Sequence, residues 1–159
     1  MTQTNSVERG AHVRFPPPLV FLIFLLLGVA LKYAVPAPVP VSRAISAIGG
    51  IVILVIGLGF IASARIWFHR TGQNPAPWKP SPALILRGPY RFTRNPMYLG
   101  VTLVVLGLGL AANNLWISLF AFPALMIVHF IAVLPEEKYL SEQFGESYRA
   151  YVAQVRRYL

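Results

Sequence analysis

Between Arg94 and Glu136 the chain runs for 41 residues without a formal charge. As one straight α-helix that run would measure about 60 Å, twice the hydrocarbon thickness of a bilayer. It must fold back, and Ala112-Asn113-Asn114 is the only polar break near its middle. The sequence therefore predicts a tight helical hairpin with limbs over 97–112 and 115–135. Two more uncharged stretches come earlier, 15–31 between Arg14 and Lys32, and 44–64 between Arg43 and Arg65. They predict membrane segments over 15–35 and 44–68. Pro16, Pro17 and Pro18 suit the first turn of a helix, where a missing N–H costs little. The expected fold is an all-α membrane protein, one integral domain over 1–159. It has four hydrophobic helical segments, the third and fourth forming the hairpin, and a cytoplasmic C-terminal amphipathic helix.

Composition excludes the soluble alternative. Of 159 residues 56% are hydrophobic and 12% charged, about half the charge of an ordinary soluble domain, and the apolar residues lie in long runs. The net charge of +9 could serve nucleic acid, but the cations flank apolar runs as in membrane-protein loops, so no nucleic-acid partner is expected. The absence of cysteine removes disulfides, thiolate nucleophiles and Cys-ligated zinc. His12, His69 and His129 are too scattered for a metal site, and no metal is expected. The first segment reads as a retained anchor rather than a cleaved signal peptide. Lys32 interrupts the end of its apolar region, and the nearest small-residue site, Val35-Pro36-Ala37, is followed by Pro38.

Orientation follows from Lys and Arg. With both termini cytoplasmic, the arm 1–14, the loop region from Arg65 to Arg94 and the tail 136–159 hold twelve of the fourteen cations, and only Lys32 and Arg43 fall on the other side. The loop 69–96, with six prolines from Pro75 to Pro96, is too interrupted for a regular helix. In the tail, Leu140, Phe144, Tyr148, Tyr151, Val152, Val155 and Leu159 recur mostly at spacings of three and four, an amphipathic pattern with Gly145 as a place to bend. Glu136 and Glu137 after Pro135 suit a helix start. Gly49, Gly50, Gly57 and Gly59, with Gly100, Gly107 and Ala111, predict close packing of membrane helices. Trp67, Trp78 and Trp116 read as interfacial belt residues.

Two polar clusters could carry chemistry. The run from Arg87 to Gly100 holds three further features: the turns Gly88-Pro89 and Asn95-Pro96, the tyrosines Tyr90 and Tyr98, and Arg91 and Arg94. A basic loop that touches anionic lipid heads accounts for its arginines alone. Glu136-Glu137 would be costly at a membrane boundary unless it faces water, a ligand or neighbouring arginines. If the hairpin closes, the acids reach the depth of Arg94 and Asn95, forming one polar pocket suited to a charged cofactor and a lipid-dissolved substrate. His129, seven residues before Glu136, lies on the same helix face.

In these residues the chain resembles the integral-membrane S-adenosylmethionine-dependent methyltransferases, which include isoprenylcysteine carboxyl methyltransferase and phospholipid N-methyltransferases. The resemblance rests on Gly88-Pro89-Tyr90, on Arg94-Asn95-Pro96-Met97-Tyr98-Leu99-Gly100, and on Glu136-Glu137 followed by Leu140, Phe144, Gly145, Tyr148 and Tyr151. It implies S-adenosyl-L-methionine as cofactor, contacted by Pro82, Ala83, Leu84, Ile85, Tyr90, Asn95, Pro96, Met97, Tyr98 and Glu136, with Arg94 and Glu137 in catalytic roles. Carboxylates can accept from ribose hydroxyls or an ammonium, Arg and Asn can receive a carboxylate, and aromatic faces attract a sulfonium. Asn95 stands where the family has His, and Ala132 where the isoprenylcysteine enzymes hold their substrate carboxylate with Arg. The implied acceptor is a lipophilic molecule from the bilayer, either a prenylcysteine-like carboxylate or a phospholipid amine, with membrane lipids as the other partners. An NADPH-dependent sterol- or enone-reductase-like protein and a non-enzymatic membrane scaffold are the alternatives. The twin acids speak against the reductase, because they repel a phosphate.

Overall fold

The computed structural model describes Gly10, Ala11, Val13 and residues 15–159. Arg9, His12 and Arg14 of the expected N-terminal arm lie outside the described residues. Every regular element among the described residues is helical: α1 (Pro17–Ala34), α2 (Arg43–Arg70), a 3₁₀ turn (Gly88–Arg91), α3 (Pro96–Ala111), α4 (Leu115–Val128), a π-helical turn (His129–Val133), α5 (Leu134–Phe144) and α6 (Glu146–Gln154). Three helices are long and apolar enough to cross a membrane: α1, α2, and the continuous stretch Leu115–Phe144 that α4, the π turn and α5 make together. The remaining segment of the expected four, α3, has only 16 residues, about 24 Å of helix. The outward side chains fit lipid. On α2, Ile45, Ile48 and Val55 are 65%, 65% and 59% exposed, an apolar surface that water would not tolerate at this extent.

The residues group into two compact units, an apolar one of Pro16–Ile61 and Met97–Val128, and a polar one of Ala62–Pro96 and His129–Leu159 with the described residues up to Phe15. In the apolar unit α1 packs on α4. Gly28 lets the backbones meet, since a Cβ there would lie 2.8 Å from Ile117 Cα. Phe24 and Phe120 pack edge to face at 5.7 Å, and Trp116 Nε1 donates to Val35 O at 2.7 Å. Helices α2 and α3 approach equally closely. A Cβ on Gly57 would lie 2.7 Å from Gly100 O, and one on Gly107 would lie 2.6 Å from Gly50 O. Of the small residues singled out in the sequence, Gly49 and Gly59 take no part: a Cβ on either meets nothing within 4 Å among the described residues. Residues 50 and 57 are two turns apart and share a face, whereas 49 and 59 are rotated off it.

The expected hairpin turn is present at Ala112–Asn114. Asn113 takes φ +51°, its N–H donates to Leu110 O at 3.0 Å, and Asn114 N–H donates to Gly109 O at 2.8 Å, a pattern that satisfies the last carbonyls of α3. Asn114 then begins α4: its Oδ1 accepts from Trp116 N at 3.1 Å. Its Nδ2 donates to Gly28 O at 3.1 Å, so one buried side chain fixes a cap and the neighbouring helix together.

The polar unit departs from expectation at its end. Instead of one amphipathic helix over 136–159, there are two short helices and an extended segment. Gly145 at φ +50° ends α5 and precedes α6. The chain leaves the helical region at Val155, φ −124° and ψ 129°, so Val155 and Leu159 continue the hydrophobic spacing without continuing the helix. Upstream, the π turn falls just before Pro135. Proline lacks the N–H that would close an ordinary turn on Ile131 O, and its ring crowds that carbonyl.

Candidate active site

All contacts that build the site lie inside the polar unit. Gly88 opens it with φ +62°. Any Cβ there would run into the Trp67 indole at Nε1, so the position requires glycine twice over, for its backbone and for its neighbour. The 3₁₀ turn that follows closes with Phe92 N and Thr93 N both donating to Pro89 O, at 3.1 and 3.2 Å. This turn places Tyr90 against Phe68, edge to face at 6.1 Å, and presents Tyr90 O to the Tyr151 hydroxyl, 2.7 Å away. Burial pushes the Tyr90 hydroxyl well above its ordinary titration range, and the nearby Glu136 carboxylate pushes it further. Tyr151 is raised as well, by burial and then by Tyr148.

Arg94 and Glu137 meet. Arg94 Nη1 lies 3.1 Å from Glu137 Oε1, with the two side chains 10% and 14% exposed. A second cation reaches the same carboxylate: Arg157 Nε donates to Oε1 at 2.9 Å and Arg157 Nη2 to Oε2 at 2.8 Å. That is the planar two-point fork by which guanidinium matches carboxylate. The pairing raises Arg157 above its usual range. Tyr148 shares a hydrogen bond with Arg94; burial and Glu137 raise its hydroxyl, while Arg94 opposes them. Buried Arg94 Nε has no acceptor among the described residues.

Arg157 also holds the turn that carries Arg94. Its carbonyl accepts from Thr93 Oγ1 at 3.0 Å and from Asn95 Nδ2 at 3.2 Å, while Arg94 N–H donates to Arg156 O at 3.0 Å. Thr93 is fully buried and Asn95 is 7% exposed, so these bonds satisfy groups that water does not reach. Next to Arg157, the Tyr158 hydroxyl lies 2.9 Å from His129 Nδ1, and burial pushes that hydroxyl up to about 12.

Of the residues singled out in the sequence, Tyr90, Arg94, Asn95, Pro96, Glu136 and Glu137 fall in this unit. Pro82, Ala83, Leu84 and Ile85 form an irregular strand of chain after Ser81, the first two exposed and the last two half-buried. Helix α5 pins Ser81 from both sides: Tyr139 OH accepts from Ser81 N at 3.1 Å, and Gln143 Nε2 donates to Ser81 O. Met97 and Tyr98, half-buried in the first turn of α3, group with the apolar unit. Ala132 is fully buried in the π turn. Sequence reasoning missed Arg157 and Thr93. The twin acids gave the one available signal, because they require cations close by, but nothing in a linear pattern selects Arg157 among the cations of the tail.

Fold and site together define the class: an integral membrane protein built of helices, with a buried cluster of arginine, carboxylate and tyrosine in its polar unit. The sequence profile of the phospholipid methyltransferase family matches residues 45–147, from the start of α2 into α6, and the chain belongs to that family. It is a membrane methyltransferase. No curated protein matches the chain.

Proposed function

We propose that the chain transfers a methyl group from S-adenosylmethionine to a phospholipid amine at the cytoplasmic face of the membrane. The observation that carries this reading is the buried Arg94 Nε–H without an acceptor. A buried, unpaired donor on a charged group is costly, and a ligand carboxylate such as the one on the methionyl end of the cofactor would relieve it. The donor set suits the rest of that molecule. Glu136 near Tyr90 offers acceptance to hydroxyls or an ammonium, and the Tyr90 ring offers a face to a sulfonium. The irregular chain at Pro82–Ile85, exposed at its first two residues, half-buried at its last two and anchored through Ser81, would border the nucleoside.

Bound S-adenosylmethionine supplies an electrophilic methyl on a positively charged sulfur. The protein's part is to align the acceptor, exclude water and hold the charged groups still, effects that together are worth about 7–11 kcal/mol in well-oriented systems. Glu137 is committed to this holding role, because both its oxygens already accept from guanidinium groups. Arg157 is occupied with Glu137, the remaining Nε–H of Arg94 is assigned to the cofactor, and the buried Ala132 supplies no cation for an acceptor's carboxylate. This favours an amine over a prenylcysteine-like acid. An ammonium acceptor must shed a proton before transfer, and His129, bonded through Nδ1 to Tyr158, is the candidate to receive it.

The test is to incubate purified protein with methyl-labelled S-adenosylmethionine and total membrane lipid. Label is expected in aminophospholipid, and label confined to a prenylated acid would replace the acceptor. In the same preparation Glu136→Gln should weaken cofactor binding by calorimetry about tenfold or more; unchanged binding would remove Glu136 from the site.

A further inference from the structure

We infer that Arg157 is a positioning residue of this site and that the segment 155–159 is a working part of it. The inference rests on the reading of Arg94 as a cofactor contact and extends it to a segment beyond the family match, which ends at residue 147. One residue performs two tasks. Its guanidinium fork fixes both oxygens of Glu137, and Glu137 Oε1 in turn fixes Arg94 Nη1. Its carbonyl fixes the Thr93 and Asn95 side chains on either side of Arg94. Arg94 is thus held from its backbone, through Arg156 O, and from its head group, through Glu137, and both restraints originate in adjacent residues of one extended segment. A residue placed this way orients the Nε–H of Arg94 without touching the ligand. Lysine cannot replace it fully, since an ammonium is a single point that cannot span two carboxylate oxygens in the plane of a fork.

The experiment compares wild type, Arg157→Lys, Arg157→Gln and, as an exposed cation of the same region, Arg149→Gln. It measures S-adenosylmethionine affinity by calorimetry in detergent, together with KM and kcat for methyl transfer to lipid. Arg157→Gln is expected to weaken cofactor affinity about tenfold and Arg157→Lys about threefold, with KM for the cofactor rising in step, and Arg149→Gln is expected to match wild type. A merely structural role would lower the active fraction, and with it apparent kcat, leaving affinity per folded molecule and KM where they were. That outcome, or an Arg157→Lys protein equal to wild type, overturns the inference. Should Arg157→Gln fail to fold, the lysine variant decides alone. Wild type that binds no S-adenosylmethionine overturns the cofactor reading instead, and with it the basis for this one.

Discussion

The two units of the molecule are held by opposite means. In the apolar unit the decisive contacts are between backbones: Gly50, Gly57, Gly100 and Gly107 remove side chains so that α2 and α3 can touch. Its polar side-chain contacts, such as Ser46 Oγ to Leu110 O at 2.7 Å, add to helices whose backbones already meet. In the polar unit 71–95 forms no α-helix, and stability rests on charged and hydrogen-bonded side chains that converge from 88–95, α5, α6 and 155–158. Lipid tails are as apolar as leucine, so helices in a bilayer gain by shape, not by hiding from water. Outside the apolar segments that restriction is lifted, and a buried carboxylate with two arginines becomes an effective fastener.

Three substitutions separate the two kinds of fastening, in decreasing order of their cost. Removing the Glu137 charge should do the most damage, because it leaves Arg94 buried beside a second uncompensated cation. Glu137→Gln is expected to cost about 3–5 kcal/mol, read as a large drop in melting temperature in detergent. A melting temperature equal to wild type would mean the carboxylate is not the fastener described. In the apolar unit, Gly107→Leu should cost about 1–3 kcal/mol by forcing α2 and α3 apart, while Gly49→Leu and Gly59→Leu are silent; equal effects at all three positions would erase the distinction between inner and outer glycines. The smallest effect separates the units by pH. The Tyr90, Tyr148, Tyr151 and Tyr158 hydroxyls all titrate above their ordinary value of 10, so the folded state retains protons the unfolded chain has lost. Their contribution is whole below pH 10 and is lost as pH rises, for Tyr158 through about 12. Tyr158→Phe should therefore flatten the fall of melting temperature over that interval; an unchanged slope would show that Tyr158 is not part of it.

Much of the fold could be read from the chain before any coordinates. The uncharged run ending at Glu136 demanded a reversal, and Asn113 and Asn114 could only be its turn, because asparagine both tolerates a positive φ and caps the next helix. The candidate site was half legible. Gly88, Tyr90, Arg94, Asn95 and the twin acids stand out as polar groups at the ends of apolar segments. The break at Gly145 was legible as a glycine inside the amphipathic pattern, but the end of the last helix was not, because the hydrophobic spacing runs on past Val155 to Leu159.

By itself the sequence determined that the chain is helical and membrane-embedded, since a run of uncharged residues leaves the backbone no partner but itself. It also determined where the chemistry-bearing residues cluster along the chain. Only the tertiary structure decided which cations answer the acids. An ion pair depends on where side chains end in space, and the extended path of 155–158, set by where α6 stops, brings Arg157 rather than Arg149 or Lys138 to Glu137.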